Sequence, residues 1–307
     1  MHKKYIIYTS SNIVLILFFV FIVNYIVDPF NLNNKILLDL PKHEVSYKMN
    51  YRLYKMAEFS QNTHNFIMLG DSRSDDLKIQ FFYENDIQNF YNFSYGGGTL
   101  YEVIDTFWFA TKYIKLERVI IGIPFNIFNE SNKVNFTKEA NLLIDTPIKY
   151  YLNFFIFKAS LFNLYSKYMG GNLNLERPPM NKKEFWKHQL GLVTKSFYEK
   201  YRYPTHLLLK LSEVSNYAKT NNIKLQFFIP PVHVDLQNKV DEYHLRDEYI
   251  RYKKDLASLS EVIDFDIINS ITRNRDNFSD PYHFNPKIAR DIVYEILNNK
   301  ETFSHRF

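Results

Sequence analysis

Phe66-Ile67-Met68-Leu69-Gly70-Asp71-Ser72-Arg73-Ser74-Asp75 is the stretch that decides the fold. Four apolar residues run into a glycine, a short polar turn and then two acids, Asp75 and Asp76. This order predicts a buried strand, a tight turn and the start of a helix. Gly70 permits the turn because it lacks a Cβ. Ser74 is expected to cap the helix, with Asp75 and Asp76 at its positive end. Ser72 then stands at the carboxyl end of a strand, where open α/β sheets hold their ligands. A serine there is a nucleophile if a base lies within reach, and otherwise an ordinary residue of a strand–turn–helix junction.

Outward from this stretch, the chain alternates. A helix is expected over 75–85, a strand over Asn89–Ser94 and a helix over Thr99–Ile114, where Leu100, Val103, Ile104 and Phe107 recur at helical spacing. Arg118–Ile123 reads as a strand buried on both faces. Further on come a helix over Thr205–Asn221, a strand over Lys224–Ile229, a helix over Glu242–Ser258, a strand over Val262–Asp266 and a helix over Pro286–Asn298. Alternating β and α predicts a flavodoxin-like parallel sheet with helices on both faces. Residues 129–203 break the rhythm and read as an aromatic-rich insertion within an α/β domain spanning 64–307. These residues are expected to form a cap beside the site rather than a separate domain; packing on the main core and membrane contact are the competing readings of the aromatics at helical spacing around Tyr150–Tyr168.

Residues 1–28 read as a signal anchor. Lys3 and Lys4 precede an apolar stretch, and Ile6–Val27 as a helix would rise about 33 Å, enough for a bilayer. A cleaved signal peptide and a buried helix compete with this reading, but no small-residue cleavage site follows. Residues 28–48 carry three acids and three Lys, so the positive-inside bias leaves the N-terminus in the cytoplasm and the remainder outside it. Residues 29–63 read as a linker with one amphipathic helix around Tyr47–Gln61.

Composition excludes several classes. With 46% apolar residues and 8 glycines in 307, the chain is neither disordered nor fibrous. It has no cysteine, hence neither disulfides nor thiolate metal sites. The net charge of +5 is spread without a basic run or a reader motif, so nucleic acid is not an expected partner. Metal-protease, calcium-loop and phosphate-loop patterns are missing, and no cofactor is expected.

Three further turns carry chemistry. Asn92-Phe93-Ser94-Tyr95-Gly96-Gly97-Gly98-Thr99 follows the second strand and can expose N–H groups to an anion, or simply turn. Gly122-Ile123-Pro124-Phe125-Asn126 ends the third strand; Asn126 can donate to an oxyanion or close the turn on its own backbone. Ser279-Asp280-Pro281-Tyr282-His283 precedes the last helix, with a carboxylate three residues before an imidazole. Such a carboxylate can orient the ring and stabilise its charged form. The nearest rival, His233 after Pro230-Pro231, reads as a loop or pocket-wall residue.

Taken in order, Gly70-Asp71-Ser72, Gly97, Asn126 and Asp280-x-x-His283 resemble the four blocks of the SGNH (GDSL-type) hydrolase superfamily over roughly residues 64–299. The resemblance implies Ser72 as nucleophile, His283 as base and Asp280 as its orienting acid. It implies an oxyanion hole from the N–H groups of Ser72 and Gly97 with the Asn126 side chain. The third block departs from the family's usual Gly-x-Asn-Asp, reading Ile123-Pro124-Phe125-Asn126-Ile127. With the anchor, the chain looks similar to envelope-modifying members such as the lipoteichoic-acid D-alanylation and alginate O-acetylation proteins. These imply an esterase or O-acyltransferase acting on a cell-envelope glycan outside the cytoplasmic membrane, beside a membrane-bound O-acyltransferase. The competing expectation is a non-catalytic accessory protein that binds glycan or such an acyltransferase. A nucleotide-binding α/β domain is disfavoured, since the phosphate-loop lysine is missing and the glycine fingerprint incomplete.

Overall fold

The computed structural model describes residues 2–33, 37–61, 63–171 and 180–307. Met1, residues 34–36 and 62 of the linker, 172–179 of the insertion and the side chains of His2 and Lys3 lie outside that description. The chain divides into two compact units, one of residues 1–62 with 136–177, the other of 63–135 with 178–307.

The larger unit is built on a sheet of β1 (Phe66–Leu69), β2 (Phe90–Asn92), β3 (Arg118–Gly122), β4 (Lys224–Ile229), β5 (Glu261–Asp264) and β6 (His305–Arg306). Its order is β2-β1-β3-β4-β5-β6. The first five strands are parallel and β6 is antiparallel to β5. The order 2-1-3-4-5 is flavodoxin-like and reverses at β1, so the crevice beside β1 is where such a sheet presents its ligand site. Alternate strand residues Met68, Ile120, Phe228 and Ile263 form one core with the helix Pro286–Asn298, through Ile288, Ile292 and Val293. The helices Leu100–Tyr113 and Thr205–Thr220 bury Val103, Phe107, Leu207 and Leu211. Thr99 and Glu102 close a capping box at the start of the first of these, which fixes where it begins.

Several local expectations need correction. The helix expected over 75–85 is two short ones, Ser72–Asp75 and Ile79–Tyr83, separated at Lys78, whose backbone is extended. Asp71, not Ser74, is the cap: its side chain accepts the Arg73 N–H at 3.0 Å. Asp76 lies at the C-terminal end of that helix rather than at its start. Ser74 is instead buried, and its Oγ lies 2.2 Å and 1.9 Å from where a Cβ on Gly70 or Gly122 would stand. Both strand-end glycines are therefore needed for close approach of the turn to β3. The helix expected over 242–258 covers Arg246–Ala257, and a second one, Val234–Glu242, precedes it; His244 between them has a left-handed backbone. The linker helix is likewise two, Lys42–Met49 and Tyr51–Phe59, broken at Asn50, whose side chain caps the second.

In the smaller unit the helix His2–Val27 contains a span, Lys4–Val27, long and apolar enough to cross a membrane. The insertion does not stay together. Its residues 136–177 belong to the smaller unit, whereas 178–203 belong to the sheet unit. The aromatic part around Tyr150–Tyr168 thus clusters with the N-terminal helix. The reason is polar pairing: Asn24 donates to the carbonyls of Tyr151 and Asn153 at 2.8 and 3.2 Å and accepts from Ser160 Oγ at 2.9 Å.

Candidate active site

The strand order places Ser72 before anything else is considered. β1 lies between β2 and β3, so the loops after those neighbours flank the turn after β1 on either side. Those loops carry Gly97 and Asn126. Ser72 opens its helix, so its N–H has no intrahelical acceptor. Gly97 has φ +64°, a left-handed conformation that favours glycine, and the loop is tied to the serine turn by the Tyr95 N–H on the Gly70 carbonyl at 3.0 Å.

His283 arrives from the far end of the chain by a stapled loop. Phe278 and Phe284, both buried, form an antiparallel bridge across it. The Ser279 N–H donates to the His283 carbonyl at 2.9 Å, and the His233 N–H to the Pro281 carbonyl at 3.0 Å. His233 stands in the loop after β4, as expected. It caps the helix Val234–Glu242, its Nδ1 accepting the Asp235 N–H at 3.1 Å, and burial lowers its pKa.

The result is a continuous line of side chains. Ser72 Oγ lies 2.7 Å from His283 Nε2, and His283 Nδ1 lies 2.8 Å from Asp280 Oδ2. Both contacts are within hydrogen-bond reach of a nucleophile, its base and the base's orienter. Asp280 is itself held: its Oδ1 accepts the N–H groups of Tyr282 at 2.8 Å and His283 at 3.1 Å. Burial pulls the His283 pKa down, but the hydrogen bond and charge of Asp280 outweigh it, and the net shift is above the ordinary 6.5.

Ser72, Gly97, Asn126 and His283 line one cavity of about 230 Å³. Its remaining wall includes Ile127, Gln189, Val193, Phe197 and Tyr282. Gln189, Val193 and Phe197 come from the later part of the insertion. They are fastened to the site by Thr194 Oγ1 and Tyr282 OH, 2.8 Å apart, and by the Asn129 amide on the Phe197 carbonyl at 2.9 Å.

Sequence reading passed over Arg73. This side chain is buried and pairs with Asp71, Nε lying 3.0 Å from Oδ2 and Nη2 reaching the same oxygen. Burial opposes its charge, yet Asp71 more than compensates, so it stays protonated. Arg73 Nη2 also donates to Asn126 Oδ1 at 2.6 Å. An amide whose oxygen is so held turns its NH2 the other way. Asn126 is thereby given to the cavity as a donor. The signal was present as a cation beside the serine and two residues after an acid, but nothing local said that it would be buried. Asn126→Ala is expected to lower kcat for a p-nitrophenyl ester by about 10²–10³-fold with little change in KM, as for loss of one oxyanion donor. A fall in kcat/KM carried by KM alone would take the oxyanion role from Asn126.

No protein-family model matches the chain, and no curated protein matches it. Solved structures similar to it include an inferred acylhydrolase from Bacteroides fragilis, at 11% identity and TM-score 0.39, covering 78% of this chain and 88% of that one. Another is an inferred platelet activating factor from Streptococcus pneumonia, at 8% identity and TM-score 0.42, with 83% and 97% covered. A third is a GDSL-like lipase from Bacteroides thetaiotaomicron, at 12% identity and TM-score 0.38, with 81% and 95% covered. The chemistry open to this chain rests on the geometry of its own site.

Proposed function

We propose that the protein is a serine esterase or O-acyltransferase of the SGNH type, anchored by Ile6–Val27 and acting outside the cytoplasm on acyl groups of a cell-envelope glycan. The single observation that carries the catalytic part is the unbroken Ser72–His283–Asp280 line opening into a cavity with Asn126 and Gly97. His283 takes the proton of Ser72, and Ser72 Oγ attacks the ester carbonyl. The tetrahedral oxyanion meets the N–H groups of Ser72 and Gly97 and the Asn126 amide. Collapse expels the alcohol, which receives the proton from His283. Water or a sugar hydroxyl then attacks the acyl-enzyme in the same way, and the identity of that second nucleophile separates esterase from transferase. A membrane-bound O-acyltransferase supplying the acyl group is the partner this reading calls for. It draws support from the apolar helix and the resemblance of the four blocks. The assembled relay disfavours the accessory reading, which has no use for an imidazole held by Asp280 within reach of Ser72.

A charged, membrane-impermeant fluorophosphonate tests both parts at once. In osmotically opened cells that keep the inner membrane sealed, it is expected to label Ser72, identified by peptide mapping. Labelling only after membrane lysis would keep the chemistry and reverse the orientation. Absence of labelling in both would leave the accessory reading.

A further inference from the structure

The helix Phe154–Met169 is amphipathic the wrong way round for water. Its buried residues are Ile156, Ala159, Ser160 and Asn163, two of them polar and one small. Its exposed residues include Phe154, Leu161, Tyr165 and Tyr168, and recur at i, i+7, i+11 and i+14, which is one helix face. The polar side chains turned inward are held through their donors, while Asn163 Oδ1 has no partner among the described residues. Ser160 Oγ donates to Asn24 at 2.9 Å, and Asn163 donates to Ser46 Oγ at 2.8 Å. A helix that hides its hydrogen-bonding side chains and shows aromatics is built for an apolar solvent.

The N-terminal helix needs the same solvent at the same depth. From Lys4 to Phe19 every residue but the half-buried Leu17 is exposed, and Val20 is the first buried one. That length rises only about 24 Å, short of the roughly 30 Å of a hydrocarbon core. The missing turn lies at Val20–Val23, where the helix is already flanked by the segment 147–169. Phe19 meets Phe157 with ring centroids 6.0 Å apart, and Phe21 meets Tyr151 at 5.1 Å. To span the bilayer, the anchor must carry this flanking segment in with it. The alternative is local thinning of the bilayer, at a cost that grows with each ångström of mismatch.

We infer that Phe154–Met169 is a second membrane element, seated in the outer leaflet against the anchor with its face of Phe154, Leu161 and Tyr165 in lipid. Lys158, on the same face, lies 5.7 Å over the Phe162 ring and reaches headgroups along its own stem. Lys167 pairs with the exposed Asp39 at 2.9 Å, which marks the water side of the helix. The inference rests on the reading of Ile6–Val27 as spanning, and adds to it an embedded collar that neither the motif resemblance nor helix hydropathy implies.

Because the chain has no cysteine, single spin labels report without background. The full chain carrying Leu15→Cys, Leu161→Cys or Phe154→Cys, labelled in nanodiscs of phosphatidylethanolamine and phosphatidylglycerol, is read by collision with oxygen and with a water-soluble nickel chelate. All three are exposed positions, so labelling leaves packing intact. Oxygen is expected to dominate several-fold at Leu15, Leu161 and Phe154 alike. Oxygen dominance at Leu15 with nickel dominance at 161 and 154 would overturn the collar while leaving the anchor. Shielding of 161 and 154 from both reagents would mean a protein cover and overturn it too. Nickel dominance at Leu15 would remove the anchor, and the collar with it.

Discussion

Ser72→Ala and His283→Ala are each expected to lower ester hydrolysis by at least about a thousandfold, and towards about a millionfold if acyl transfer is as rate-limiting as in other serine enzymes. The size follows from the relay acting as one unit. Without Oγ there is no acyl-enzyme, and without Nε2 at 2.7 Å the hydroxyl keeps its proton. The double variant should be scarcely slower than either single one, because what remains is binding and the oxyanion donors. Steady-state rates on p-nitrophenyl acetate, with circular dichroism and thermal melts alongside, check this. The melts matter because Ser72 and His283 are partly exposed at the cavity rather than core residues, so their truncation should leave the fold standing. Additive losses in the double variant would mean that the two side chains act separately, and the triad would be rejected.

Why these residues were legible in the sequence is a matter of range. Ser72 and the Asp280–His283 pair announce themselves through local chemistry: an apolar strand running into Gly70, and a carboxylate three residues from an imidazole just before Pro286 starts a helix. Their convergence follows from one parallel sheet whose carboxyl-end loops share an edge, which the β–α alternation already implied. What stayed hidden depends on contacts far apart in sequence. Ser74 looked like a cap because serines cap helices, yet its place is set by the absence of side chains on Gly70 and Gly122. Arg73 was passed over because its partner Asn126 lies 53 positions away and reaches it only from the loop after β3.

The place of the insertion depends on distant contacts in the same way. Its aromatic periodicity was visible, but the partner of that face was not. Asn24 is a lone polar residue after the uninterrupted apolar run Ile13–Val23 of the N-terminal helix. Paired with Ser160 and two backbone carbonyls, it is what fastens residues 136–177 to the N-terminal unit. The two-residue β6 and the helix Val234–Glu242 were missed because one is too short for a pattern and the other begins straight after Pro230-Pro231.

Asp280→Asn separates orientation from charge and should show both in one pH profile. In the native protein the imidazole must be neutral to accept the Ser72 proton, and its pKa lies above 6.5 because Asp280 outweighs burial. The acid limb of kcat/KM is therefore expected above pH 6.5, activity falling as pH drops through the raised value. Replacing Asp280 removes its charge and hydrogen bond but leaves burial, the largest influence, and Arg73, which disfavour the imidazolium, against only the weaker pull of Asp71. The limb must then move to lower pH. The plateau should fall by about 10⁴-fold. An asparagine can still accept the Tyr282 and His283 N–H groups through its oxygen, so the loop stays stapled. Its NH2 then faces Nδ1, which forces the ring proton onto Nε2, so that Nε2 can no longer accept the proton of Ser72. A merely structural Asp280 would lower the plateau without moving the limb. A limb displaced to higher pH would contradict the electrostatics, since no remaining neighbour raises the pKa as Asp280 does.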